Sequence, residues 1–249
     1  MSETKKTYLY VNTAPAPNNK GDGTVFWTVL IGLTPDLLSA KGVSEAQAKT
    51  LKVKMTVFPD KLELMANAFA KAKAEGKGPR RNVLFMTVSG EEKGLWGSEY
   101  YSEHPTVPMD KVTADLNIDM IGRTDTERTS GDTLNYVYVV GDDKLSTELK
   151  PISEGVNKKH TKLVLDYKFN DPKDPNRIYY RSDHYNFARK GVPIIFYYDG
   201  MLKADYHQPT DTPDKINYPL LAKRAQLVFH TAWEMANRDA QLKRDIPLQ

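Results

Sequence analysis

Three short apolar runs, each ending in an acid or leading to a histidine, set the strongest limit on how this chain folds. Residues 82–89 are rich in β-formers, stop at Ser89-Gly90 and are followed at once by Glu91-Glu92. Residues 112–122 carry Asp119 between Ile118 and Met120. Residues 192–198 lead through a loop to Asp205-Tyr206-His207. Runs this short, bounded by turn residues, read as buried strands, and α/β sheets gather their chemistry at the carboxyl ends of such strands. A carboxylate set among apolar neighbours is costly unless a metal, a cation or backbone donors meet it. Two adjacent glutamates suit a helix N-terminus, whose dipole favours acids. They also suit a hydrolytic pair, one binding a metal and the other taking a proton from metal-bound water. Zinc accepts Glu, Asp and His, and their recurrence at three strand ends favours a metal site.

Between these runs the periodicity turns helical. Leu62, Leu64, Met65, Ala68, Phe69 and Ala72 keep near-helical spacing, preceded by Asp60 and Glu63 in a capping-box-like arrangement. Residues 95–103, 146–159 and 219–240 read as helices, and 134–140 and 162–169 as strands, with Gly141-Asp142-Asp143 as a turn. Strands alternating with helices predict a three-layer α/β fold, its sheet mixed but largely parallel and flanked by helices. The division expected is an N-terminal segment, 1–58, and a domain, 59–249. Within the segment, residues 1–24 are polar around Ala14-Pro15-Ala16-Pro17, residues 24–34 are mostly apolar, and short helical pieces follow Pro35 and Ser44. Leu51, Val53, Met55 and Val57 alternate with polar residues as a strand with one polar face.

Composition narrows the function classes. A net charge of +3, with Lys71, Lys73, Lys77, Arg80 and Arg81 gathered where a helix ends, gives no support for a nucleic-acid partner. No cysteine is present, so disulfides and thiolate metal sites are excluded. No run is long enough for a membrane span, and Met1–Lys6 opens no signal-peptide core. Compartment and oligomeric state stay open. The acid-rich loop at 170–176 lacks the glutamate that a calcium-binding EF-hand needs at its twelfth position.

Four pieces, in order, resemble the co-catalytic zinc aminopeptidase family, whose relatives include bacterial leucyl aminopeptidases, glutamate carboxypeptidases and glutaminyl cyclases. They are residues 89–98, residues 117–122, Ser182-Asp183-His184 ahead of Gly191-Val192-Pro193, and residues 207–212. The likeness runs from about Lys61 to Arg238. It implies a zinc-exopeptidase-like fold and hydrolysis of N-terminal peptide bonds by metal-activated water, on a peptide substrate with a free amino end. Glu91 would then be the general base. Glu92 and His207 would hold one zinc, and Asp119 the other. Asp183 and His184 lie where the family places residues that orient a ligand or contact substrate, and a structural helix start accounts for His184 equally well. From the residues themselves, Tyr197 or Tyr198 offers a phenol to polarise the scissile carbonyl, and with 14 tyrosines in the chain core packing is expected of at least one.

The chain also departs from the family pattern. It lacks the early His-x-Asp motif and the acidic loop whose aspartate bridges the two zincs: its histidines are His104, His160, His184, His207 and His230. Asp60 is the only acid in residues 51–60 and Asp22 sits in a glycine loop; a helix cap accounts for the first and an Asp-Gly turn for the second. Zero to two zincs are therefore expected. The alternative expectation is a family-derived domain, catalytically inactive or mononuclear, kept as a peptide-binding or structural module. Residues 1–58 resemble the end of a protease-associated domain, and members of the family are often exported.

Overall fold

The computed structural model describes the backbone of residues 10–12, 28–30 and 59–248, and side chains from Met65 to Leu248. The expectations for residues 13–27 and 31–58, with Asp22 and the polar-faced strand among them, fall outside the described residues. Strands β1 (Tyr10–Asn12) and β2 (Thr28–Leu30) pair antiparallel, Tyr10 opposite Leu30. Helix α1 spans Pro59–Ala74, so Asp60 lies inside its first turn rather than ahead of it.

The main sheet has four strands: β3 (Asp115–Ile118), β4 (Tyr136–Val140), β5 (Val164–Asp166) and β6 (Ile194–Tyr198), in the order β3-β6-β4-β5. The outer pairs, β3 with β6 and β4 with β5, are parallel; the central pair, β4 with β6, is antiparallel. Parallel neighbours need a crossover, which helix α3 (Leu149–His160) supplies between β4 and β5. Helices α2 (Trp96–Glu103), α4 (His184–Ala188) and α5 (Tyr218–Asn237) complete the described helices. Asn217 starts α5, its side-chain oxygen accepting from Leu220 N at 3.1 Å, with Pro219 in the first turn.

Both central strands are buried along their whole length, which is why each reads as an unbroken apolar run. Alternate residues face opposite ways. Val137, Val139, Ile195 and Tyr197 pack with Leu149, Val156, Leu227 and Val228 of α3 and α5. Tyr136, Tyr138, Phe196 and Tyr198 pack on the other side with Phe169, Ile178, Phe187 and Val192. Helix, sheet and helix therefore form the three layers expected.

One expected strand does not form. Residues 82–88 run extended, with Phe85 against one core and Met86 against the other, as in a strand. Yet they make no backbone hydrogen bond among the described residues, and Leu84 is 59% exposed. A strand is completed by a neighbour, and β-forming residues without a ladder stay an extended segment.

Candidate active site

Glu91 and Glu92 sit in a short 3₁₀ turn, Glu91–Lys93, between two left-handed glycines, Gly90 at φ 70° and Gly94 at φ 101°. A side chain at either position would strain the backbone, so the glycines set the direction in which the acids leave the extended segment. Helix α2 then presses its backbone onto that segment: Gly97 N donates to Ser89 O at 2.8 Å. A Cβ on Gly97 would stand 2.6 Å from both Ser89 N and Ser89 O. Gly97→Ala should therefore displace the Glu91 turn and cost about 1–3 kcal/mol, measured by urea unfolding; a wild-type midpoint would show that the contact yields freely.

Asp119 follows β3 directly, ahead of Met120, whose φ is 53°. Ser182 Oγ donates to Asp119 Oδ2 at 2.8 Å, and Asn117 Nδ2 donates to Ser182 Oγ at 3.0 Å. Burial raises the Asp119 pKa; the Ser182 bond opposes the shift, the Glu92 charge adds to it and His207 lowers it. On the far side, Asp183 accepts from Ser98 Oγ at 2.5 Å, and Asn186 Nδ2 donates to the same hydroxyl at 2.9 Å. Burial pushes Asp183 up to about 6. Glu91 is pushed to about 8, first by burial and then by the charges of Asp119, Glu92 and Asp183, with Arg181 opposing.

His207 adopts a left-handed φ of 57°, and its Nε2 lies 2.9 Å from Glu92 Oε1. Its ring stacks on Tyr206 with centroids 3.9 Å apart. The loop around it is tied to the segment after Asp119: Arg123 pairs with Asp205 at 2.7 Å and also with Asp211. Lys215 Nζ meets the other Asp205 oxygen at 2.7 Å. Arg123 N donates to Asp199 Oδ2 at 2.8 Å. Underneath, the buried Arg224 donates to the carbonyls of Tyr136, Ile121 and Arg123.

Glu91, Glu92, Asp119, His207 and Tyr198 thus line one cleft at the carboxyl ends of β3 and β6. Asp183 is not part of this lining, although its charge acts on Glu91. Two further sequence-selected residues lie elsewhere. Tyr197 belongs to the opposite face of the sheet, because side chains alternate along β6. His184 is fully buried, with Nε2 bonded to Tyr179 O at 2.8 Å and its ring stacked on Phe196. Burial lowers its pKa to about 3, so it is a neutral packing group. Sequence reasoning passed over Ser98, Asn117, Arg123, Arg181, Ser182 and Arg224. Ser98, Asn117 and Ser182, each inside one of the matched motifs, carried a local signal; the three arginines did not.

The sequence profile of peptidase family M28 matches residues 63–232. The chain belongs to this family. Among M28 relatives, the probable leucine aminopeptidase of Arthroderma benhamiae is 28% identical over 179 residues, covering 70% of this chain and 45% of the relative. That of Arthroderma otae is 29% identical over 179 residues, with the same coverage. The chain spans about half the length of the curated relatives it matches. The crystal structure of LapB from Legionella pneumophila superimposes with a TM-score of 0.56 at 20% identity, over 71% of this chain and 45% of that one. The LapA aminopeptidase of the same organism gives 0.50 at 20% identity, over 61% and 38%. These likenesses show a shared fold.

The family resemblance implies zinc, and the cleft meets that requirement in part. Glu92 and His207 stand as an adjacent donor pair, while the described contact of the Asp119 carboxylate is Ser182. Among the described residues no group of three His, Asp or Glu side chains is arranged to hold a metal ion. A catalytic zinc uses three protein ligands, so these donors as placed do not make a zinc centre.

Proposed function

We propose that residues 59–249 form an aminopeptidase-type hydrolase domain that cleaves the N-terminal bond of peptides, with Glu91 as general base. The carrying observation is the convergence of Glu91, Glu92, Asp119 and His207, from three separate segments, on one cleft. The Glu91 carboxylate takes a proton from the water that attacks the scissile carbonyl and returns it to the leaving amine. A basicity raised by burial and by neighbouring acids suits a group that must hold and release a proton near neutral pH. The surrounding carboxylates favour the ammonium of a free amino end. Because the described donors do not close a zinc centre, the proposal rests on the protein's own groups. Glu92, His207 and Asp119 are the donors offered to a metal.

The test pairs turnover with metal content. After equilibration in buffered nanomolar zinc and gel filtration, the full chain should release leucine from a free-amine peptide and leave its N-acetyl form intact. Bound zinc, counted by elemental analysis, should be absent if these donors stand alone, and one or two per chain if further groups complete a centre around them. No turnover together with no zinc would replace this reading with that of a family fold without the reaction.

A further inference from the structure

Arg181 lines the same cleft as Glu91, Glu92 and Asp119 yet holds none of them. Among the described residues its side chain makes one hydrogen bond, Nη2 to the Tyr206 hydroxyl at 3.2 Å, and no ion pair. A guanidinium carries five donors in a fork that fits a carboxylate, and this one is exposed to incoming ligand. Its backbone is fixed: Arg181 N donates to Ile178 O at 3.0 Å, and the next two residues are the Ser182 that holds Asp119 and the Asp183 held by Ser98. The other ionisable groups on the cleft are acids, apart from His207, whose Nε2 lies 2.9 Å from Glu92 Oε1. Asp211 is already matched by Arg123. What remains is a dipolar cleft, three acids facing one guanidinium, with an apolar wall from Ile178, Phe196 and Leu202. Its complement is a peptide with an ammonium at its start and a carboxylate one residue further on. Two extended residues span about 7 Å, the scale of a single cleft.

We propose that Arg181 binds a carboxylate carried by the residue after the scissile bond, which makes dipeptides or peptides acidic at that residue the preferred substrate class. The proposal rests on the hydrolase reading above. The carboxylate belongs either to the chain end or to a side chain, and four peptides separate the two: Leu-Gly, Leu-Gly-amide, Leu-Glu-amide and Leu-Gln-amide. The zinc-equilibrated wild-type chain should favour the carboxylate member of one pair by about ten- to a hundredfold in kcat/KM, chiefly through KM. A preference within the glycine pair identifies the chain end; one within the Glu/Gln pair identifies the side chain. Arg181→Gln should erase the preference and Arg181→Lys should restore part of it. Equal rates within both pairs, or a preference that survives Arg181→Gln, would overturn the assignment. If no peptide is hydrolysed, the hydrolase reading fails, and the same peptides are titrated calorimetrically into wild type and Arg181→Gln. Tighter binding of a carboxylate peptide that is lost in the variant keeps the assignment, and equal binding ends it.

Discussion

Glu91→Gln is expected to lower kcat by about 10²- to 10⁴-fold while leaving the peptide KM and the unfolding midpoint near their wild-type values. Glutamine keeps the shape and the polar contacts of glutamate but cannot accept a proton. The loss should therefore fall on the chemical step and not on binding. The substitution also removes a carboxylate that Asp119, Glu92 and Asp183 crowd, so the fold has no reason to weaken and some reason to tighten. Steady-state kinetics and urea unfolding on the same preparation separate these effects. A variant with wild-type kcat would remove Glu91 from the mechanism and leave the cleft as a binding surface.

The second large effect is on stability. Arg224 is fully buried on α5, and its guanidinium donates to Tyr136 O at 2.8 Å, Ile121 O at 2.8 Å and Arg123 O at 2.7 Å. It lies 4.9 Å from the Tyr136 ring, and burial lowers its pKa while the Asp199 charge opposes the shift. Arg224→Leu would keep a side chain in the space but strand those carbonyls and deprive Asp199 of its neighbouring cation. Breaking a buried charged network in this way costs about 3–5 kcal/mol. For a domain of this size each kcal/mol is roughly 2–4 °C in Tm, so a fall of about 6–20 °C is expected in a thermal scan. A change within one degree would mean that water or a backbone shift meets these groups equally well. Because two of the carbonyls belong to the segment following Asp119, turnover should fall as well.

β6 was legible as a continuous apolar run because it is buried on both faces; β4 was read from the alternation over 134–140, although it too is buried on both faces. Glu91, Glu92, Asp119 and His207 were legible as candidates through motif order, but their meeting on one cleft was not, because it depends on how separate segments pack. The polar framework was not. Ser182 reaches Asp119 from 63 positions away and Ser98 reaches Asp183 from 85, and no local pattern announces such pairings. Arg224 sits on an otherwise apolar helix face, where a lone cation resembles an interruption. Tyr197 and Tyr198 are equal in sequence and opposite in the fold, because their choice of face depends on the register of β6 against β3 and β4. Residues 82–89 have the composition of a strand, but pairing is a property of two segments and only one of them can be read from the run itself.

Restraint is unevenly distributed around the cleft. The Asp119 and His207 side is cross-braced by Ser182, Arg123, Asp199 and Arg224. The Glu91 side follows a segment with no ladder bonds among the described residues, and is held through α2 by the Gly97 contact and by the Ser98 bonds to Asp183 and Asn186. Local motion follows the density of such restraints. The two walls of the cleft are thus held by different means, one by side chains that cross the sheet and the other by the backbone contacts of α2. A substitution in the braced wall is therefore felt through the sheet, whereas one in α2 reaches Glu91 through backbone contacts such as that of Gly97 with Ser89.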